Sequence, residues 1–235
     1  MSMTGAASRK KEQMKLTIIA ATGGIGRQVL DQAVAAGHDV TAVVRNPQKL
    51  PSALARIVAA DLASADLAAL RPAVEGADAV LSGLGARSKA EAGVAWRGTQ
   101  AVTQAMQAVG VRRIIAVSAA PVGTVASPAR PEPPRRDPGD GLVMRNLAYP
   151  VLRAAFREIY ADLARMEDIA RESDLDWTVV RPVRLTGKPE TGRYRTAIGQ
   201  NVRHGLFISR ADVAHYMLRA IDEPDTFRQT VGIAN

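Results

Sequence analysis

KLTIIAATGGIGRQVL, residues 15–30, decides which fold the chain adopts. Residues 16–19 are apolar or β-branched and predict a buried strand, whereas Val29, Leu30 and Ala33 have the spacing of one helix face. A short turn of small residues separates the two. Strand, glycine turn and helix form the context of a dinucleotide-binding fingerprint, because glycines let the backbone approach a pyrophosphate and free N–H groups at the helix start attract it.

The turn and the first helical residues are the candidate pyrophosphate-binding group, namely Ala20, Thr22, Gly23, Gly24, Ile25 and Gly26. The small positions of the fingerprint are Ala20, Gly23 and Gly26, so an alanine replaces the first glycine. An ordinary tight turn that binds nothing would give the same short pattern. The rest of the chain favours the functional interpretation.

Length and composition favour one α/β domain with a substantial core. The chain has 235 residues, 47% of them hydrophobic, and no apolar run of about 18 residues that could cross a bilayer. Residues 1–14 lack the apolar core of a signal peptide and predict a disordered leader, which leaves 15–235 as the domain. The absence of cysteine excludes disulfide scaffolds and thiolate chemistry, and we expect a cytoplasmic protein.

The net charge of +8 comes from 31 basic and 23 acidic side chains, with no long basic stripe. We therefore expect no nucleic-acid partner and no membrane partner. His38, His204 and His215 lack the spacing of a metal site, so no metal is predicted. His204 is a weak candidate for substrate contact.

Strand and helix patterns alternate along the whole chain and predict a Rossmann-type doubly wound parallel sheet in the order 3-2-1-4-5 with additions. Further strands are predicted at 39–44, 56–60, 78–84, 113–117, 177–180 and 230–233. Helices are predicted at 91–109, 153–173 and 209–221, the last with a cap at its start. Ligands bind such sheets at the carboxyl ends of the strands.

Several polar or small residues lie at those strand ends. Arg45 follows the second strand, where an arginine accommodates a 2′-phosphate, so NADP(H) is predicted in preference to NAD(H), although a surface arginine is the plain alternative. Asp61, followed by Leu62, either accepts from the adenine or caps the next helix. Gly83, Leu84 and Gly85 would leave room for the cofactor ribose.

Two segments predict a small substrate-side lobe. Residues 119–142 are rich in proline and charge and too long for a routine connection, and residues 184–207 look like a loop. The first segment is either a loose surface insertion or a cover over the substrate, because it leaves directly from the sheet's ligand-binding edge.

These motifs together resemble the atypical, or extended, short-chain dehydrogenase/reductases, in particular the NmrA-like and biliverdin/flavin reductase-like groups. The matching pieces are AATGGIG at 20–26, VVRNP at 43–47, AVSAA at 116–120, RMEDIARESDLDWTVVRP at 165–182 and ISRADVA at 208–214. The resemblance implies a Rossmann fold that binds NADP(H), with the nicotinamide near Ser118 and near Pro182 and Val183. It also implies that Ser118 hydrogen-bonds the acceptor, rather than only satisfying backbone at the strand end.

The chain departs from that family where proton transfer is concerned. Such enzymes usually pair a tyrosine with a lysine four residues later, which lowers the pKa of the phenol. Tyr160, the second candidate catalytic residue beside Ser118, is followed at that spacing by Ala164, and Tyr149 is followed by Arg153. We expect hydride transfer to a flavin, quinone or similar acceptor that takes its proton from solvent. A non-catalytic NADP(H)-binding redox sensor is the alternative, and a monomer is the default state with a dimer as the other option.

Overall fold

The computed structural model describes residues 13–51, 55–64, 67–141 and 144–235, without the side chain of residue 145. The described strands are β1 Lys15–Ile19, β2 Asp39–Val44, β3 Arg56–Ala59, β4 Ala79–Ser82, β5 Arg113–Val117, β6 Asp176–Pro182, β7 Arg184–Thr186, β8 Arg195–Ile198, β9 Phe207–Ser209 and β10 Gln229–Ala234. The described α-helices are α1 Gly24–Ala35, α2 Leu67–Val74, α3 Val94–Val109, α4 Tyr149–Ala155, α5 Arg157–Glu172 and α6 Arg210–Arg219.

The central sheet has eight strands in the order β3-β2-β1-β4-β5-β6-β10-β8. Every neighbouring pair in it is parallel except β10 with β8. The order around β1 is the one predicted from the sequence, and the Rossmann-type α/β fold is confirmed. β7 and β9 form a separate two-stranded sheet.

Helices cover both faces of this sheet, which explains the continuous apolar runs of its central strands. α1 packs against α6 on one face, while α3 packs against α2 and α5 on the other. Ile18 and Ile19 of β1 are fully buried and belong to the clusters on opposite faces. The carboxyl ends of the parallel strands therefore meet at one edge, where the first residues of α1 also lie.

Local signals located the last helix accurately. Ser209 caps α6, its Oγ accepting a hydrogen bond from the backbone N–H of Asp212 at 2.9 Å. The α-helical part ends at Arg219, and a 3₁₀ turn over Ala220–Asp222 completes the predicted span. No helix in the described ranges has the length and apolar character to span a bilayer.

Two sequence predictions need correction. The helix predicted at 153–173 is two helices, α4 and α5, because the chain leaves helical geometry at Phe156 with φ −116° and ψ 28°. Residues 184–207, predicted as a loop, contain β7 and β8 and reach β9. The leader predicted at 1–14 falls almost wholly outside the described residues.

The described residues of the segment 119–142 pack on the segment 184–207. The carboxylate of Asp137 accepts from the backbone N–H of Asn201 at 2.8 Å, and a β-carbon placed at Gly139 would lie 1.7 Å from the carbonyl oxygen of Asn201. Asn201 also donates through Nδ2 to the carbonyl of Ala120 at 3.2 Å. The described part of the first segment is thus anchored to the second segment through buried hydrogen bonds with Asn201.

Candidate functional site

The glycine turn brings the end of β1 into close contact with the start of α1. Ala20 has a φ of +59°, the left-handed conformation that glycine adopts without strain, and its carbonyl accepts from Gly23 N at 2.8 Å. A β-carbon at Gly26 would lie 2.3 Å from that carbonyl oxygen. Ala20 therefore adopts a backbone conformation that favours glycine. The start of α1 at Gly26 packs closely against the Ala20 carbonyl, as the fingerprint predicts.

The neighbouring strand also requires small residues at this turn. A β-carbon at Gly83 would lie 2.7 Å from Gly26 N, so the end of β4 lies directly against the start of α1. A β-carbon at Gly24 would meet Nε of Arg210 at 2.8 Å, which places a guanidinium beside the helix N-terminus. Gly23 is the N-cap of α1, and the helix start has no side-chain cap hydrogen bond. The backbone arrangement fits a pyrophosphate.

A cleft of about 260 Å³ opens beside this turn, where the ends of β1, β2, β3 and β4 meet. The predicted residues that line it are Ala20, Thr22, Arg45, Asp61, Leu62, Leu84 and Gly85. The structure thus brings together part of each set that the sequence assigned to the pyrophosphate, the 2′-phosphate, the adenine and the ribose, whereas Gly23, Gly24, Gly26 and Gly83 are not in the lining. Ile25 belongs to the apolar core instead.

Four charged residues of this cleft were missed by the sequence analysis, namely Lys49, Arg87, Glu91 and Arg97. Glu91 Oε1 lies 3.4 Å from Nη2 of Arg45, and Glu91 Oε2 accepts from Arg87 N at 3.0 Å. The hydrogen bond from Arg87 N–H lowers the pKa of Glu91 against the opposing effect of burial, and Arg45 lowers it further. Of these four residues, Lys49 gave a signal in the sequence, because it is a second basic residue only four positions after Arg45.

Asp61 closes its own turn, and its described bonds lie before the next helix, which begins at Leu67, so they do not show the predicted helix cap. Its Oδ1 accepts from Ala63 N at 3.1 Å, and its carbonyl accepts from Ser64 Oγ at 2.8 Å. Asp61 is exposed and lines the cleft, so it is accessible to a bound cofactor in spite of these bonds.

Ser118 lies just after β5 and outside that cleft, in a buried ionic network. Its hydroxyl donates to Oε1 of Glu167 at 2.7 Å, and Arg181 Nε donates to the same oxygen at 2.9 Å. Glu167 Oε2 accepts from Nη2 of Arg181 at 2.5 Å and also pairs with Arg171. Because an ionised carboxylate only accepts, the hydroxyl proton of Ser118 is directed at Glu167, and a lone pair remains for another donor.

Glu167 is fully buried between two guanidinium groups. Burial by itself raises the pKa of the carboxyl, but the charge of Arg181 and its hydrogen bonds outweigh that effect and the pKa is lowered. Arg181 is buried as well, with 4% of its surface exposed. The network is therefore an ion pair that keeps the end of β5, β6 and α5 together.

Pro182 and Val183, predicted to lie near the nicotinamide, are at the end of β6, and Tyr160, the other predicted catalytic residue, is on α5. Pro182 and Val183 are buried at the carboxyl end of β6, where Val183 N donates to Ile233 O at 3.4 Å. Tyr160 lies in the first turn of α5 with its ring edge against Phe156, and burial raises the pKa of its phenol.

A second cavity, of about 490 Å³, lies between residues 139–141 and residues 202–206. Its lining comprises Gly139, Asp140, Gly141, Met144, Tyr149, Val202, His204, Gly205 and Leu206. Tyr149 and Val202, which line the cavity, belong to the same large apolar cluster as Val183. Burial, followed by the charges of Asp140 and Asp137, raises the pKa of Tyr149, so its phenol stays protonated and can donate.

Comparison with known families agrees with this geometry. The sequence profile of a family described as NAD(P)H-binding matches residues 20–224, from the first small residue of the fingerprint to just beyond α6. The chain belongs to the NAD(P)H-binding family. The family suspected from the sequence is thereby confirmed.

The curated proteins that resemble this NAD(P)H-binding chain include the following two. Photosystem II assembly factor Ycf39 of Synechocystis is 32% identical over 108 residues, which cover 43% of the chain and 32% of that protein. The chain thus matches about a third of the length of this relative. Protein C216.03 of Schizosaccharomyces pombe is 28% identical over 216 residues, 86% of the chain and 83% of that protein.

Solved structures share the fold over almost the whole chain. A protein of Burkholderia pseudomallei described as exported is 26% identical with a TM-score of 0.71, over 95% of this chain and all of that one. A Streptococcus pneumoniae protein described as an NADH-flavin reductase is 22% identical with a TM-score of 0.71, over 94% and 99%. The anaerobillin reductase ChuY of Escherichia coli has the same identity and TM-score, 22% and 0.71, over 94% and 96%.

Proposed function

We propose that the protein is an NADPH-dependent reductase that transfers a hydride to a flavin, a quinone or a similar conjugated acceptor. The observation that carries this proposal is the arrangement of the glycine turn and the charged cleft at one edge of the sheet, in a chain of the NAD(P)H-binding family. The flavin and anaerobillin reductases with the same fold agree with the proposed class of acceptor.

The chain's own residues divide the work of binding the cofactor. The close-packed backbone at Gly23 and Gly26 and the start of α1 would hold the pyrophosphate, with Arg210 beside it. Arg45 lies 3.4 Å from Glu91, and its side chain is 66% exposed, so a 2′-phosphate could reach its planar set of donors. We therefore propose a preference for NADP(H) over NAD(H).

The cavity between the substrate segments is our proposed acceptor site. Its lining is mostly apolar, and the protonated phenol of Tyr149 supplies a donor. When bound, NADPH supplies the hydride, and a flavin or quinone that accepts it takes up a proton from solvent. The hydroxyl of Ser118 donates its proton to Glu167 and keeps a lone pair. Through that lone pair it would accept a hydrogen bond from a donor group of a bound reactant and so position it.

The test is a fluorescence titration of the protein with NADPH and with NADH, followed by addition of flavins and quinones to the loaded protein. We expect tighter binding of NADPH, and loss of its absorbance when a suitable acceptor is added. Arg45→Ala should weaken NADPH binding far more than NADH binding. An equal loss for both cofactors would remove Arg45 from the 2′-phosphate site.

A non-catalytic NADP(H)-binding redox sensor is the second candidate. The buried bond from Ser118 to Glu167 favours it, because it occupies the only proton of a candidate catalytic hydroxyl. Tight NADPH binding without oxidation by any acceptor would support this alternative.

We further propose that the protein works as a cytoplasmic monomer on a small-molecule acceptor, without nucleic-acid or membrane partners. The absence of cysteine and the lack of a concentrated basic stripe support this proposal. Elution of the purified chain as a dimer in size-exclusion chromatography with light scattering would contradict the monomer.

A further inference from the structure

Glu91 is placed where it competes with a ligand for Arg45. It ends a single 3₁₀ turn, Lys89–Glu91, that precedes α3, and its side chain is 32% exposed. One carboxylate oxygen lies 3.4 Å from the guanidinium of Arg45, and the other is fixed by Arg87 N at 3.0 Å. The carboxylate therefore has a backbone partner on one side and an exposed cation, Arg45, on the other.

A phosphate and a carboxylate would make the same kind of contact with Arg45. A phosphate monoester carries a charge of about −1.5 to −2 at neutral pH, so it meets both an attractive Arg45 and a repulsive Glu91. A free 2′-hydroxyl has the opposite preference, because it can donate to a carboxylate, as acidic residues bind the ribose of NAD in this class of fold. The cleft thus contains Arg45, which suits the 2′-phosphate of NADP(H), and Glu91, which suits the 2′-hydroxyl of NAD(H).

Asp61 is the other acidic residue that lines the cleft in the described part of the chain. Its Oδ1 is used by the backbone of its own turn, and no ion pair with Arg45 is formed in the described structure. Glu91 is therefore the carboxylate that contacts the cation proposed to select the cofactor.

We propose that Glu91 is a specificity-determining residue that occupies Arg45 in place of the 2′-phosphate and so narrows the preference for NADPH over NADH. The inference rests on the proposed function, since it takes the cleft to be the site of the adenosine ribose. Glu91 weakens NADPH binding by engaging Arg45 and repelling the phosphate, and it supports NADH binding by accepting from the 2′-hydroxyl.

The test is the pair of dissociation constants for NADPH and NADH in Glu91→Gln. Glutamine keeps an oxygen for Arg87 N but loses the charge, so the turn should remain folded. Exposed ion pairs contribute little, so we expect about threefold to tenfold tighter NADPH binding, with NADH binding unchanged or about twofold weaker. Glu75→Gln is the matched control. Glu75 is exposed just after α2 and before β4, at the opposite end of the strands from the cleft.

A double-mutant cycle with Arg45→Ala separates this inference from the proposed function. If Glu91 acts through Arg45, the effect of Glu91→Gln on NADPH should fall by more than half in the Arg45→Ala background. Weaker NADPH binding in Glu91→Gln would overturn the inference, since it would mean that Glu91 orients Arg45 for the phosphate. Equal changes for both cofactors, or a change as large in Glu75→Gln, would also overturn it. Equal losses of NADPH and NADH in Arg45→Ala alone would instead contradict the proposed 2′-phosphate site.

Discussion

Glu167→Gln should destabilise the fold far more than its conservative character suggests. The substitution removes the charge that pairs with Arg181, which is 4% exposed, and with Arg171, while leaving the shape of the side chain unchanged. Breaking a buried ion pair on one side costs about 3–5 kcal/mol, because the other charge stays buried without compensation. For a chain of this length each kcal/mol shifts the melting temperature by about 2–4 °C, so we expect a fall of roughly 6–20 °C.

The matched control is Glu223→Gln. Glu223 also pairs with an arginine, Arg219 at 2.5 Å, but the two side chains are 31% and 57% exposed. Exposed pairs are worth about 1 kcal/mol or less, so the melting temperature should fall by less than about 4 °C. Thermal unfolding followed by circular dichroism measures both variants. A melting temperature for Glu167→Gln as close to the wild type as that of Glu223→Gln would refute the role assigned to the buried pair.

The same substitution has a predictable dependence on pH. Burial opposes ionisation of Glu167, but Arg181 and Arg171 lower its pKa below the ordinary glutamate value of 4.5. A group whose pKa is lower in the folded state stabilises the fold above its unfolded pKa, and this contribution is lost as the pH falls through the folded pKa. Urea unfolding at about pH 7 and about pH 3.5 should therefore show a smaller difference between wild type and Glu167→Gln in acid. A difference that grows in acid would contradict the sign of the shift.

Four further substitutions test the glycine turn and the catalytic side of the site. Ala20→Gly should stabilise the protein by about 0.5–1 kcal/mol in urea unfolding, because relief of the left-handed backbone exceeds the entropy cost of glycine; a loss of stability would contradict the strain at φ +59°. Gly26→Ala should cost about 1–3 kcal/mol and abolish cofactor binding, since its β-carbon would lie 2.3 Å from a carbonyl oxygen, and intact binding would place the pyrophosphate elsewhere. Tyr149→Phe should raise the KM for the acceptor several-fold with the NADPH Kd unchanged, and an unchanged KM would remove its phenol from the acceptor site. Ser118→Ala should slow turnover with nearly intact cofactor affinity and cost about 1.5–3 kcal/mol, as a hydrogen bond to a charged group is lost; full activity would leave Ser118 a structural role only.

Features that depend on neighbouring residues were predictable from the sequence. The strand–turn–helix at 15–30 and the cap at Ser209 are encoded within a few residues, so periodicity and residue type were sufficient. Parallel order followed from the alternation of strands and helices, and it placed Arg45 and Asp61 at the same edge of the sheet. Seven residues that line the cleft beside the glycine turn were predicted for this reason, whereas Lys49, Arg87, Glu91 and Arg97 were missed.

Features that depend on distant residues were not predictable. Glu167 pairs with Arg181 across 14 positions and with Ser118 across 49, and neither spacing matches a local rule. Asp162 accepts from the backbone of Ala95 and Trp96, at 3.2 Å and 2.9 Å, and so caps α3 from a helix that lies 66 or 67 positions later in the chain. Only the assembled fold brings these groups together.

The break at Phe156 shows how a periodic pattern can mislead. Phe156, Ile159 and Leu163 continue the spacing of one apolar helix face, so the pattern predicted a single helix through this point. In the structure Phe156 is 43% exposed and its ring lies against Tyr160 instead of packing in the core. Hydrophobic spacing reports the face that a residue would occupy in a helix, but it does not detect a residue whose backbone leaves the helix.

The protonation states around the proposed acceptor site bear on which acceptors the chain can reduce. The proton of Ser118 is directed at Glu167, and burial raises the pKa of Tyr149 beyond that of an ordinary phenol. General acids work best when their pKa is near the working pH, so a phenol whose pKa is raised donates a hydrogen bond well but gives up its proton poorly. A ketone reduced to an alkoxide needs a proton as the hydride arrives, whereas a reduced flavin or quinone is a stabilised anion that can wait for solvent. These protonation states therefore support the proposed conjugated acceptors over isolated ketones and aldehydes.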